Sequence, residues 1–204
     1  MDGLGWIVIG AIVLLVVGAV VVYNRLVALR NRTEEAWAQI DVQLKRRYDL
    51  IPNLVEKVRG YAAHERETLE GVIKARQQAV DTRGVQDQAQ AENLLTQTLR
   101  QLFAVAEAYP DLKANENFMT LQRELSGTES QIAHAREAYN SAVLSYDTAR
   151  ETFPSNLIAG AFTFETKPYF EAEEASRANV PVDFGSSTRP SSPSQSPGRE
   201  TGPA

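Results

Sequence analysis

The chain opens with an uninterrupted apolar run. No charged side chain lies between Asp2 and Arg25, and residues Leu4 to Tyr23 read LGWIVIGAIVLLVVGAVVVY. Twenty helical residues at 1.5 Å each extend for about 30 Å, which is the thickness of the hydrocarbon core of a bilayer. Trp6 and Tyr23 fall near the two ends of the run, where amphipathic rings prefer the headgroup level. The run therefore predicts a membrane-spanning helix.

A signal peptide and a buried core helix are the alternatives to a spanning helix. A signal peptide needs positive side chains before its apolar stretch and a small-residue cleavage site after it, and the chain has no convincing example of either.

Charge around the run predicts the topology, because Asp2 is the one side-chain charge before it and arginines follow it. The positive-inside bias predicts a single-pass plasma-membrane protein with its N-terminus outside and its bulk in the cytoplasm. Two roles are open to these arginines, setting the topology or holding anionic lipid headgroups. They are Arg25, Arg30 and Arg32.

Beyond the run, apolar residues return every three or four positions, which is typical of helices with one buried stripe. The first stripe extends from Trp37 to Val72, the second helix covers about residues 86–108, and the third covers about residues 118–153. Gly84 and Pro110 mark the interruptions. Three stripes joined by short turns predict an all-α fold, an antiparallel bundle of three to four helices.

Pro52 lies inside the first stripe, although a proline in a helix interior costs about 3 kcal/mol. The apolar rhythm keeps its phase from Leu44 to Leu54, so we predict a long helix that is kinked at Pro52 and continues. The alternative is a new helix capped by Asp49, with the proline in its first turn. In a continuous helix, the missing amide of Pro52 leaves the carbonyl of Tyr48 without its usual partner.

The C-terminal half carries three further expectations. The third stripe keeps its phase past Gly127, which predicts one continuous helix rather than a new start there. The segment from Phe153 to Ala175 is too apolar for a free tail, so we expect it to fold back onto the bundle, with a short fourth helix. Residues from about 185 onward are mostly Ser, Pro and Gly, a composition typical of disorder. The predicted division is 1–24 for the outward N-terminus and membrane helix, 25–175 for the bundle, and 176–204 for the extension.

Two long stretches resemble a known family. YNRLVALRNRTEEAWAQIDVQLKRRYDLIPNLVEKVRGYAAHE (Tyr23 to Glu65) and YPDLKANENFMTLQRELSGTESQIAHAREAYNSAVLSYDTARETFPSNLIAGAFTF (Tyr109 to Phe164) are similar to the two signatures of the LemA family of bacterial membrane-anchored helical proteins. The ending NVPVDF, Asn179 to Phe184, resembles the family's usual close. The resemblance implies a short outward N-terminus, one membrane helix and a cytoplasmic helical domain. It supplies no function, because the family has no established biochemical activity.

The sequence shows no pattern typical of an active site. Cysteine is absent, and a zinc-protease motif at His64-Glu65 fails because Thr68 stands where the second histidine belongs. No phosphate-binding glycine loop or nucleophile elbow occurs. The net charge of −5 argues against nucleic acid as a partner. We therefore expect no enzyme activity, metal, cofactor or small-molecule substrate.

Polar residues collect around the proline, and two interpretations of them stand. They form either an ordinary exposed face, with Arg47 extending past its apolar neighbours, or a partner-docking patch. The residues of this candidate patch are Arg46, Arg47, Asp49, Asn53 and Glu56. The function we predict is a non-enzymatic, membrane-tethered scaffold or adaptor whose partners are the bilayer and a protein, either a cytoplasmic one or a second copy of the chain. The alternative is an accessory or regulatory subunit of a membrane enzyme such as a protease.

Overall fold

The computed structural model describes residues 3–170, and within that range the protein contains helices and no strand. The helices are α1 (Gly3–Tyr61), α2 (Arg66–Asp81), α3 (Val85–Glu107), α4 (Pro110–Lys113), α5 (Glu116–Glu151) and α6 (Ser155–Ala161). The predicted all-α class is confirmed. The predictions for residues 171–204, including the end of the folded-back segment and the Ser/Pro-rich extension, lie outside the described residues.

Helix α1 has 59 residues and is about 90 Å long at 1.5 Å per residue. Its N-terminal part is apolar enough to cross a membrane, with a mean hydropathy of 2.9 over its most apolar 18 residues, and none of that window is buried. Leu14 and Leu15 are typical of it, with exposed fractions of 74% and 71%. In water such a surface would be strongly unfavourable, because apolar area costs about 25 cal/mol for each Å² left exposed.

The same helix passes through Pro52 without ending, so the continuous helix is confirmed and a separate helix capped by Asp49 does not form. Ile51 and Leu54 are completely buried, whereas Pro52 is exposed. The proline ring therefore lies on the solvent side of α1 and takes no volume from the core. The kink at Pro52 stays a prediction.

The first stripe is not one helix, which corrects the sequence analysis. Helix α1 ends at Tyr61, and α2 begins at Arg66 after a tight turn in which the amide of Glu65 donates to the carbonyl of Ala62 (3.1 Å). The rhythm survives the turn because both helices pack against one core, to which buried Val72 of α2 belongs. Continuity of an apolar phase is therefore no proof of a continuous helix.

The core extends along α1. Toward the apolar run it lies between α1 and α5, which run antiparallel, and toward the other end it lies mainly among α1, α2 and α3. Leu26, near the start of the bundle, packs with Tyr146, whereas Ile51, further along α1, shares a cluster with Leu125. Helices α2 and α3 pair with each other and cover the end of α1 that lies farther from the apolar run. Helix α5 continues through Gly127, as predicted.

The segment after α5 folds back onto the bundle, as predicted for its described part. Helix α6 packs against α1 and α5, and residues 162–170 then follow the α1–α5 groove as a C-terminal strap. The hydroxyl of Tyr139 donates to the carbonyl of Pro168 (2.8 Å). Asn140 donates to the carbonyl of Phe170 (3.1 Å) and accepts from its amide (2.9 Å). These hydrogen bonds hold the strap without a helix or a strand.

Candidate functional site

A buried ion pair lies about one and a half turns before the proline. The Nη1 atom of Arg47 on α1 is 3.1 Å from the Oε2 atom of Glu92 on α3, and the two side chains are 5% and 1% exposed. The Nη2 atom of Arg47 donates to the hydroxyl of Thr96 (2.9 Å). This placement corrects the candidate patch, because a buried arginine that is already bound to a carboxylate is not presented to a partner.

Tyr48 completes the pair from the next position on α1. Its hydroxyl donates a short hydrogen bond to Oε1 of Glu92 and accepts one from Nε2 of Gln88 (2.9 Å). The same Gln88 nitrogen contacts the carbonyl of Ala79 on α2 (3.1 Å). Burial, reinforced by the charge and the hydrogen bond of Glu92, raises the pKa of Tyr48 far above its ordinary value. Tyr48 is therefore a neutral donor throughout the physiological range.

The carbonyl that Pro52 leaves without an amide has a replacement partner. The Nε atom of Arg76, on α2, donates to the backbone oxygen of Tyr48 over 2.7 Å. A charged donor forms a stronger hydrogen bond than an amide, so it offsets part of the cost of the proline. The carbonyl of Tyr48 that Pro52 leaves free thereby becomes the acceptor through which the side chain of Arg76 ties α2 to α1.

The polar cluster Arg47–Tyr48–Arg76–Gln88–Glu92 joins three helices, and its members largely satisfy one another. A cavity of about 220 Å³ lies beside it, between α3 and α5, and its walls are mixed, with apolar Leu99 and Phe103 beside polar Arg100 and Glu129. The guanidinium of Arg47, which borders this cavity, is already held by Glu92 and Thr96. The arrangement holds α1, α2 and α3 in register.

Sequence reasoning found Arg47 but not its partner Glu92, nor Arg76 and Gln88, although a signal for Glu92 was present. Leu95 and Leu99 belong to the apolar stripe of α3, and Glu92 falls on the same stripe one turn earlier. Arg47 interrupts the stripe of α1 in the same way. Two opposite charges on two apolar stripes indicate a buried pair, since an isolated buried charge would be very costly.

The other four patch residues lie together. Arg46, Asp49, Asn53 and Glu56 are spaced by three, four and three residues and are all exposed, so they follow one solvent face of α1. Lys45 pairs with Asp49 across one turn (3.0 Å). We call these four the docking face, and its role in binding stays a prediction.

The three arginines after the apolar run are exposed on α1. The guanidinium carbon of Arg30 lies 5.8 Å from the centre of the Phe164 ring, which is within cation–π range. Arg25 and Arg32 are on the same stretch of helix, within about one and a half turns of it. Binding of lipid headgroups by these residues stays a prediction.

Metal chemistry finds no support within residues 3–170. That part of the chain contains no group of three or more His, Asp or Glu side chains placed to hold an ion. His64 and His134 are both exposed.

These features define a class, an all-helical bundle protein carried on a long N-terminal helix that is apolar enough to cross a membrane. The sequence profile of the LemA family matches residues 36–184, and the chain belongs to this family.

Similar proteins include two kinds of relative. Protein LemA of Metamycoplasma hominis is 27% identical over 162 residues, which cover 77% of this chain and 72% of that protein. Magnetosome protein MamQ 2 of Paramagnetospirillum magneticum is 25% identical over 179 residues, which cover 75% of this chain but 66% of that protein. Magnetosome protein MamQ of Magnetospirillum gryphiswaldense is 22% identical over 179 residues, which again cover 75% of this chain and 66% of that protein.

Proposed function

We propose that the protein is a non-enzymatic, membrane-tethered scaffold that presents its helical bundle to a cytoplasmic protein or to a second copy of itself. One observation carries the proposal, the continuity of α1 from its exposed apolar run into the bundle core. Leu26, three residues after the end of the run at Tyr23, is already 1% exposed. Because no turn separates the two parts, the bundle begins at the membrane surface, and α1 fixes its direction.

The proposed topology places the N-terminus outside and the bundle in the cytoplasm, and the absence of cysteine makes it easy to test. Gly3→Cys reports the start of α1, and Ala104→Cys reports an exposed position on α3. A membrane-impermeant maleimide should label the first variant in intact cells and the second only after permeabilisation. The reverse pattern would refute the orientation, and recovery of the chain in the soluble fraction would refute the tether.

The proposed partner site is the docking face. Asn53→Cys carrying a photoactivatable cross-linker should capture a defined partner in cells, and Lys74→Cys, at an exposed position on α2, is the matched control. The adduct should weaken when Asp49→Ala and Glu56→Ala are added, because these two carboxylates of the docking face lie about one turn on either side of the label. Equal capture at both positions would contradict a docking role. A membrane enzyme in the adduct would favour an accessory subunit over a scaffold.

A further inference from the structure

Three large apolar side chains are exposed on and around α6. Phe153 is 74% exposed, Leu157 63% and Phe162 61%. All three lie within ten residues of one another, in and beside a helix that contacts α1 and α5. Large exposed apolar side chains this close in sequence indicate a surface that is covered by something else.

The position of this segment along α1 indicates what covers it. The ring of Phe162 lies 5.0 Å from the ring of Tyr23, and the ring of Phe164 lies 5.7 Å from it. Tyr23 is the last residue of the apolar run, where the hydrocarbon of a bilayer would give way to headgroups. The exposed ring of Phe162 therefore continues the apolar surface of α1 sideways at this level, and α6 leads directly to it.

The exposure of these side chains does not come from a poorly packed segment. Ala159 on the opposite side of α6 is 5% exposed and shares a core cluster with Leu26 and Tyr146. Thr163 then turns the chain with a positive φ of 53°, and Phe164, 7% exposed, returns it to the bundle. The bundle thus holds the Ala159 side of α6 and turns Leu157 outward, while Phe153 and Phe162 lie just beyond the two ends of the helix.

We propose that residues 153–162 form a membrane foot, in which Phe153, Leu157 and Phe162 enter the interfacial layer of the leaflet from which α1 emerges. The inference rests on the proposed function, since it requires that the apolar run of α1 spans the bilayer. The occupant is lipid rather than protein, because the foot is continuous with the spanning surface and the exposed Arg25 and Arg30 lie at the same level for anionic headgroups.

A foot beside the spanning helix has a consequence for the scaffold. A single spanning helix can tilt in any direction, whereas a second contact beside it favours tilt toward that contact. The membrane foot would therefore set which side of the bundle leans toward the lipid, and with it how the docking face is turned relative to the membrane.

Fluorescence depth measurements on the full-length chain in vesicles test the foot. Single cysteines replace Leu157 in the foot, Leu15 in the span and Val42 on the bundle, and each carries an environment-sensitive nitrobenzoxadiazole probe. All three side chains are well exposed, at 63%, 71% and 64%, so each substitution leaves the core intact. Val42 lies 19 residues beyond Tyr23 on α1, or about 28 Å along the helix. The vesicles are phosphatidylcholine with a minority of phosphatidylglycerol and contain lipids spin-labelled at a shallow or a deep acyl carbon.

The Leu157→Cys probe should be blue-shifted and quenched mainly by the shallow label, the Leu15→Cys probe mainly by the deep label, and the Val42→Cys probe by neither. Quenching at position 157 no stronger than at position 42, with position 15 quenched, would overturn the foot and leave the span intact. A blue shift at position 157 without quenching would show a protein neighbour and would also overturn it. Absence of quenching at position 15 would overturn the span as well.

Discussion

The structure predicts a large loss of stability when Glu92 is replaced by an apolar residue. Glu92→Leu leaves the guanidinium of Arg47, on a side chain 5% exposed, without the carboxylate that it contacts. Breaking a buried ion pair from one side costs about 3–5 kcal/mol. Tyr48 also loses its acceptor, which adds to the cost. We expect a loss of about 4 kcal/mol, equivalent to a fall in Tm of roughly 8–16 °C for a domain of this size.

The double variant Arg47→Met/Glu92→Leu should recover most of that loss. Two apolar side chains of similar volume leave no buried charge, and such replacements are often neutral or stabilising. Tyr48 still lacks its acceptor, so we expect a residual loss of about 1–2 kcal/mol. Lys45→Ala is the control, because it removes the exposed pair with Asp49 in the same turn and should cost less than about 1 kcal/mol.

Thermal and urea unfolding of the full-length chain in mild detergent, followed by far-UV circular dichroism, compares the unaltered protein with four variants: Glu92→Leu, Arg47→Met, the double variant and Lys45→Ala. The reasoning would be refuted if Glu92→Leu shifted the transition no more than Lys45→Ala. It would also fail if the losses from Arg47→Met and Glu92→Leu simply added in the double variant, since additivity means that the two sites do not interact.

Three further outcomes follow from the same contacts. Arg76→Met should cost about 1–3 kcal/mol in unfolding experiments, and less in a Pro52→Ala background, where the restored amide bonds the free carbonyl; an equal cost in both backgrounds would contradict the replacement. Burial raises the pKa of Tyr139 to about 12, whereas a tyrosine in the unfolded chain titrates near 10. Between these two pH values the folded chain therefore binds more protons than the unfolded chain. Its stability should fall as pH rises from about 10 to about 12. Tyr139→Phe should flatten this fall in a plot of Tm against pH, and an unchanged slope would argue against it. Asn140→Ala should speed amide exchange at Phe170, measured by mass spectrometry, because the strap loses two hydrogen bonds there; unchanged protection would mean that packing alone holds the strap.

The proposals for the anchor, the membrane foot and the docking face describe one arrangement. Helix α1 carries the bundle away from the bilayer, α6 lies beside its exit point, and the docking face starts at Arg46, 23 residues beyond Tyr23. At 1.5 Å per residue that face begins about 35 Å from the end of the apolar run. A partner recognised there would be a protein of the cytoplasm or another copy, held at a defined distance from the lipid.

The sequence by itself determined the local features. A run of twenty apolar residues and a three-to-four-residue rhythm are properties of neighbouring side chains, so they predicted the apolar helix, the passage of α1 through Pro52 and the continuity of α5 past Gly127. The turn at Ala62–Glu65 was missed because it needs neither Gly nor Pro, and because the two helices that it joins face the same core.

Only the tertiary structure decided the site. Whether Arg47 reaches solvent or pairs inside depends on Glu92, which is 45 positions away and comes beside it only when α3 packs on α1. The partner of the carbonyl freed by Pro52 likewise comes from α2. A periodic pattern shows which face of a helix is buried, but the choice of partner for a buried charge is made between helices, through distances that no local pattern contains.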